Sequence, residues 1–207
     1  MNVSTYSKAL FKAALMGAFL AGTSVVFAEA KVNVDKPDFD DLQSPEVGGN
    51  TGKKNFKPKD WLEVEVKFNV EAVRPEPKDK FVDRVQIRWY VAVKNPGGRG
   101  DYWLLEKEVT HVNVPVGEDL FASIYLSPNS VQRLSGGDRA SKSIIDRVGG
   151  EINVAGTTVY FSSKGKEGWW QSGSLSRTDK VPLLNKNETP FKMLWWDRYA
   201  EVQADNR

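Results

Sequence analysis

A chain of 207 residues with 29 basic and 27 acidic side chains, one histidine and no cysteine can build one sizeable apolar core. It has no basic surplus or stripe of the kind that phosphate neutralisation requires, so nucleic-acid binding is not expected. The missing cysteine removes thiol catalysis, thiolate metal sites and disulfide staples.

Residues 1–28 read as a signal peptide. Lys8 and Lys12 precede the short apolar run "AALMGAFLAGTSVVFA" (13–28), and Val26 and Ala28 approximate the small residues before a cleavage site after Ala28. A retained anchor is the competing reading, but Gly17, Gly22, Thr23 and Ser24 interrupt the run, which falls below the roughly 20 apolar residues of a span. Removal of this segment takes two lysines and no acid, leaving equal numbers of basic and acidic side chains and no stable transmembrane segment. The expected location is therefore the periplasm, the outer-membrane surface or the extracellular space.

Residues 29–59 contain Pro37, Pro45, Pro58 and the Gly48–Gly49 pair with few apolar residues, and predict a flexible or extended leader ahead of a domain over 60–207. "GGNTGKK" (48–54) lacks the spacing of a phosphate-binding loop. From Trp61 the signal is that of a sheet. Leu62, Val64, Val66, Phe68 and Val70 alternate with Glu63, Glu65, Lys67 and Asn69. A second strand over 81–94 places Val85, Ile87, Trp89, Val91 and Val93 on one face, and strands over 102–114 and 118–127 follow.

Ser127 before Pro128 predicts a helix N-cap, with Gly136 and Gly137 as the stop. Residues 139–148 suit either a short helix, which is preferred, or an irregular edge. A strand over 151–163 carries Gly156 as a bulge or as the tip of a hairpin. "GWWQSG" (168–173) reads as a short strand or its end, and "LWWDRYAEVQ" (194–203) as the last strand. Strands separated by glycine and proline turns, with no long helical period, predict an all-β antiparallel sandwich, immunoglobulin-like in preference to a jelly roll or a barrel.

The chemistry-bearing residues are sparse. His111 alone offers no metal cluster and reads as structural or surface, and no nucleophile elbow occurs, so neither catalytic residue, cofactor nor metal ligand is assigned. Glu63 with Glu65 and Glu106 with Glu108 have the strand spacing that two glycosidase carboxylates need, but the same pattern arises wherever a strand faces water. Asp197 and Arg198 form either a charge-assisted pair or a solvated flank, with Tyr199 as a structural corner. The candidate interaction residues are Trp169, Trp170, Trp195 and Trp196. Adjacent strand side chains point oppositely, so one indole of each pair is expected inside and the other available to a partner. A protein is the expected partner. A glycan is the alternative, with Gln171, Arg177, Asp197 and Arg198 as the polar groups that would have to converge.

"MGAFLAGTSVVFAEAKVNVDKPDF", "DRVQIRWYVAVKNPGG" and "TPFKMLWWDRYAEV" together resemble the secreted immunoglobulin-like proteins encoded with type IV pilus-like components in Akkermansia muciniphila. The resemblance implies an exported accessory of pilus assembly, adhesion or host contact, with no catalytic residues to carry over. The N-terminal pattern of a major type IV pilin is missing.

Overall fold

Alternating apolar side chains on two long strands set the architecture. In a computed structural model that describes residues 29–46, 57–97 and 102–204, β3 (Asp60–Arg74) and β4 (Phe81–Lys94) turn their apolar faces towards each other across the gap between two sheets. Leu62, Val64, Val66, Phe68 and Val70 meet Val85, Ile87, Trp89, Val91 and Val93 in one core, all of them buried. Their period of two turns one whole apolar face of each strand into this core.

Sheet one takes β1 (Glu29–Val34) and β2 (Asp38–Gln43) on one side of β3, and β6 (Asp119–Leu126) and the short β10 (Leu184–Asn185) on the other. Sheet two has β5 (Tyr102–Pro115), β7 (Ile145–Val154), β8 (Thr157–Ser162) and β9 (Leu175–Arg177) in the order β8-β7-β4-β5-β9. Every pairing is antiparallel except β5 with β9. The expected all-β sandwich is present.

The leader expected over 29–59 is, in its described first part, two strands of the domain. β1 pairs with residues 68–74 of β3 and β2 with residues 60–65, so the two occupy successive stretches of one edge. Ala30 and Val32 are buried and Phe39 packs against the same core. Pro37 stands in the break between the strands, where no ladder donor is needed. The signal peptide and the "GGNTGKK" segment lie outside the described residues.

Local signals decide the connections. α1 (Pro128–Ser135) begins where Ser127 accepts a hydrogen bond from the Ser130 N–H and ends at Gly136. Residues 139–148 form no helix of the expected kind. A 3-10 turn at Lys142–Ile144 leads into β7, because the β-branched Ile145 and Val148 gain more by pairing with β4 than by one further helical turn. The 151–163 segment is a hairpin: Ala155 and Gly156 both have left-handed φ values, 48° and 83°, as a two-residue turn matched to strand twist requires.

The C-terminal segment corrects a further expectation. "LWWDRYAEVQ" is no continuous strand: a 3-10 turn at Pro190–Met193 precedes a turn through the tryptophans, and the chain then runs extended between the two sheets. Ala200 N–H donates to the Phe121 carbonyl on β6 at 2.9 Å, whereas Val112 N–H on β5 donates to Glu201 O at 2.9 Å and Gln203 N–H to Thr110 O at 2.8 Å. Residues 198–203 thus strap the edge of one sheet to the edge of the other.

Candidate functional site

The face of β3 turned away from the core carries Trp61, Glu63 and Glu65 at its first end. β2 runs beside them in the register Asp38 to Glu65, Asp40 to Glu63 and Leu42 to Trp61, and directly opposed residues share a face, so four carboxylates gather there. Like charges directly opposite each other destabilise a sheet, and the far side of the site supplies the offset. β6 sets Tyr125 opposite Glu63 and Ser123 opposite Glu65. Tyr125 donates to Glu63 Oε1 at 2.5 Å and Ser123 donates to Tyr125 at 3.0 Å.

The C-terminal segment forms the wall. Phe191 is buried, edge-on to Trp61 with centroids 5.6 Å apart and stacked on Tyr125 at 5.5 Å. Trp195 stacks outside Phe191 at 6.4 Å. Arg198 lies 3.5 Å over the Phe121 ring and pairs with Glu65 at 2.5 Å. The Tyr199 hydroxyl stands 3.0 Å from Glu63 Oε1 and 2.8 Å from Glu65 Oε2. The result is a cleft of about 550 Å³ with Asp38, Asp40, Glu63 and Glu65 along one side and Trp195, Arg198 and Tyr199 along the other.

The electrostatics follow from burial. Glu63 is only 4 % exposed, and desolvation pushes its carboxyl above the usual range against the pull of the two tyrosine hydrogen bonds, with Glu65 and Asp40 adding repulsion. Desolvation raises both tyrosines too, with the Glu63 charge adding to it, so they remain protonated donors. Lys186, also buried, donates to the Leu194 carbonyl and lies 4.8 Å over the Tyr199 ring; burial lowers its pKa and the charge of Glu63 opposes that.

The tryptophan pairs behave differently from each other, and neither lies in a strand. Trp169–Gln171 is a 3-10 turn packed on the outer face of sheet two. Trp170 is 2 % exposed, stacks on Tyr90 at 4.7 Å and donates to Glu151 at 3.1 Å; Trp169 is half-buried beside it, with the Arg147 guanidinium 5.4 Å over its ring. Gly149 makes room for this cover, and Gly150 for the core on the opposite face. A Cβ on Gly149 would sit 2.7 Å from the Trp170 ring, and one on Gly150 2.4 Å from Phe161. The second pair does not divide into inward and outward members: Trp195 is 48 % and Trp196 58 % exposed, on a turn where Trp195 adopts a left-handed φ of 53°. Opposite directions require strand geometry, which neither pair has.

The other expected groups disperse. Arg198 reaches the cleft and pairs with Glu65 rather than Asp197, Arg177 pairs with Glu106, and Glu108 pairs with Arg88 at 2.5 Å. Gln171 stays in the turn on sheet two. His111 is buried, its Nδ1–H donating to Ala200 O at 3.1 Å, and burial depresses its pKa to about 4. Among the described residues no group of three or more metal-ligating side chains is arranged to hold an ion, and no helix is long and apolar enough to cross a membrane. Sequence reasoning overlooked Asp38, Asp40 and Tyr125. "DFDDL" (38–42) carries no clean period-two signal, since Phe39 and Leu42 fall on opposite faces, and it lies in a stretch whose prolines suggest a leader.

A protein-family model matches residues 23–206 of the chain. A crystal structure of a protein from Akkermansia muciniphila superposes with a TM-score of 0.78 at 38% sequence identity, over 86% of this chain and 96% of that one. The chain belongs to this family. A comparison with curated proteins finds no match. The family match runs through the cleft and both tryptophan pairs, so strands and C-terminal wall fall within one family domain.

Proposed function

We propose that the chain is an exported, non-catalytic interaction domain, accessory to a type IV pilus-like assembly, to adhesion or to host contact, and that its partner is a protein of the cell envelope or of the surface it meets. One observation carries the reading. Met193, Trp195 and Trp196 stand 66 %, 48 % and 58 % exposed close together in sequence, and Trp195 lines the cleft, whereas Phe191 and Tyr199 on either side of them are buried. Large amphipathic rings left outside a well-filled core are the usual anchors of protein interfaces.

Two further features support this reading. The order β1-β3-β6 facing β8-β7-β4-β5 is compatible with an immunoglobulin-like sandwich, in which connecting segments carry recognition. Glu63 and Glu65 are tied to Tyr125, Tyr199 and Arg198 and so hold the C-terminal wall in place, which favours a fixed surface over a reacting pair.

Co-purification from native envelopes tests the proposal. The wild-type chain should recover a reproducible protein partner, and the W195A/W196A double variant should lose it while unfolding at an unchanged temperature. Recovery indifferent to both tryptophans would sink the proposal. A sugar-dependent glycan-array signal from Trp195 would favour a carbohydrate-binding module instead.

A further inference from the structure

We infer that the cleft between β2 and the C-terminal wall is a receptor for a cationic side chain, a lysine or arginine presented by a protein partner. The inference rests on the interaction reading above and names the chemistry that the site takes.

Charge is the first ground. Four carboxylates line the cleft against one guanidinium, and that guanidinium is already engaged by Glu65. Asp38 and Asp40 have no cationic partner among the described residues, although each sits directly opposite another carboxylate. A bound cation would relieve both repulsive pairs at once.

The second ground is Glu63. Both hydrogen bonds to this almost wholly buried carboxylate fall on Oε1, and Oε2 accepts none from the described residues even though Glu63 lines the cleft. Oε2 is not itself sealed from solvent, so it presents free lone pairs to the cleft, where a donor can reach it. Because Tyr199 has one proton to offer two carboxylates, the network is short of a hydrogen whenever Glu63 is ionised. An ammonium or guanidinium group brings several.

The third ground is the opposite wall. Trp195 lies nearly parallel to Phe191 at 6.4 Å and remains half exposed at the cleft, so its indole stands where a cation passing towards Glu63 would meet it. Carboxylates opposite an indole make a site selective for organic cations, since anions are repelled and a small metal ion gains nothing from the ring. Among the described residues the acids are in any case not grouped to ligate a metal.

The test uses the full chain with three blocked peptides, hexalysine, hexaarginine and hexaglutamine, followed by calorimetry and tryptophan emission. The two basic peptides should bind saturably and shift the emission, and raising salt from about 0.05 to 0.3 M should weaken them. D38N/D40N should weaken binding by at least ~10-fold, and W195A should both weaken binding and abolish the emission change. D38N/D40N keeps the acceptor that Asp38 offers to the Phe39 N–H and removes like-charge pairs, so its thermal midpoint should equal or exceed that of the wild type. Equal binding of hexaglutamine, or basic-peptide binding untouched by D38N/D40N, overturns the inference. So does adhesion to phosphatidylglycerol vesicles that needs both exposed tryptophans but neither aspartate, since that assigns the turn to a lipid surface. Native partner capture that depends on Trp196 but not on Asp38 or Asp40 leaves the interaction domain standing and removes the cation receptor. Aspartate-dependent binding of hexalysine with no capture of any native partner does the reverse.

Discussion

His111 donates its Nδ1 proton to the carbonyl of Ala200 at 3.1 Å, a bond from the edge of sheet two to the strap that closes the sandwich. The imidazole is buried and neutral, with its pKa lowered from 6.5 to about 4 chiefly by desolvation. In the unfolded chain it binds a proton below about 6.5, whereas in the folded chain it resists until about 4. This contribution is complete above the higher value and is lost as pH falls through the interval, by about 3 kcal/mol at its limit. The thermal midpoint of the wild type should therefore drop more between pH 7 and pH 4.5 than that of His111→Gln. Parallel curves would refute the assignment.

Glu63 works in the opposite sense. Its folded pKa is raised above the ordinary 4.5, so its stabilising contribution is present at low pH and is lost as pH rises through the raised value. Glu63→Gln, always neutral and still able to accept from Tyr125, should be more stable relative to wild type at pH 8 than at pH 5. Thermal melts at those two pH values decide it, and an unchanged difference counts against a raised Glu63.

Removal of residues 29–43 should destabilise the domain strongly. It strips β1 and β2 from β3, uncovers the core beside Ala30, Val32 and Phe39, and leaves a 15-residue strand with an open edge. The expected cost is at least ~3 kcal/mol, or roughly 10 °C in midpoint, with increased self-association. A truncated chain that melts like the intact one would show that the edge is dispensable.

The seven tryptophans should separate by stability. Trp170→Ala removes a buried ring stacked on Tyr90 together with its bond to Glu151, for roughly 3 to 5 kcal/mol, whereas Trp196→Ala should stay within about 0.5 kcal/mol. Urea titrations of the two variants give the comparison directly. Similar losses for both would mean that Trp196 is packed after all.

Gly150→Ala probes how tightly sheet two is filled. The added methyl would meet the Phe161 ring at 2.4 Å and the Arg88 carbonyl oxygen at 2.6 Å; a ring can turn aside, but a ladder carbonyl cannot. The expected loss is about 2 to 4 kcal/mol, larger than for Gly156→Ala, whose Cβ meets nothing within 4 Å and whose cost is that of a left-handed backbone alone. The reverse order in chemical denaturation would contradict this packing.

Much of the scaffold was legible because its signals are local. The alternation from Leu62 to Val70 and from Val85 to Val93, the Ser127 cap and the Gly156 turn each depend on a few neighbouring residues, and each lies where its pattern places it. The cleft was not legible. Glu63 and Glu65 belong to a pattern indistinguishable from a solvated strand face, and only the pairing of β2 in one register and the return of Tyr199 from the far end of the chain bury the first and engage the second. The tryptophans misled for a related reason: strand logic applies only where a ladder holds the backbone, and Gly168 and the left-handed Trp195 turn the chain instead.

The bond from Tyr199 to Glu63 spans 136 positions of sequence, and the one from His111 to Ala200 spans 89. Asp38 and Arg198, near opposite ends of the chain, face the same cleft. A chain still being synthesised can pair β3 with β4 but cannot display this surface, because one wall has yet to be made. The cleft is thus complete only once residues 195–199 are in place, and a fragment lacking them loses one wall of it before it loses its sheets.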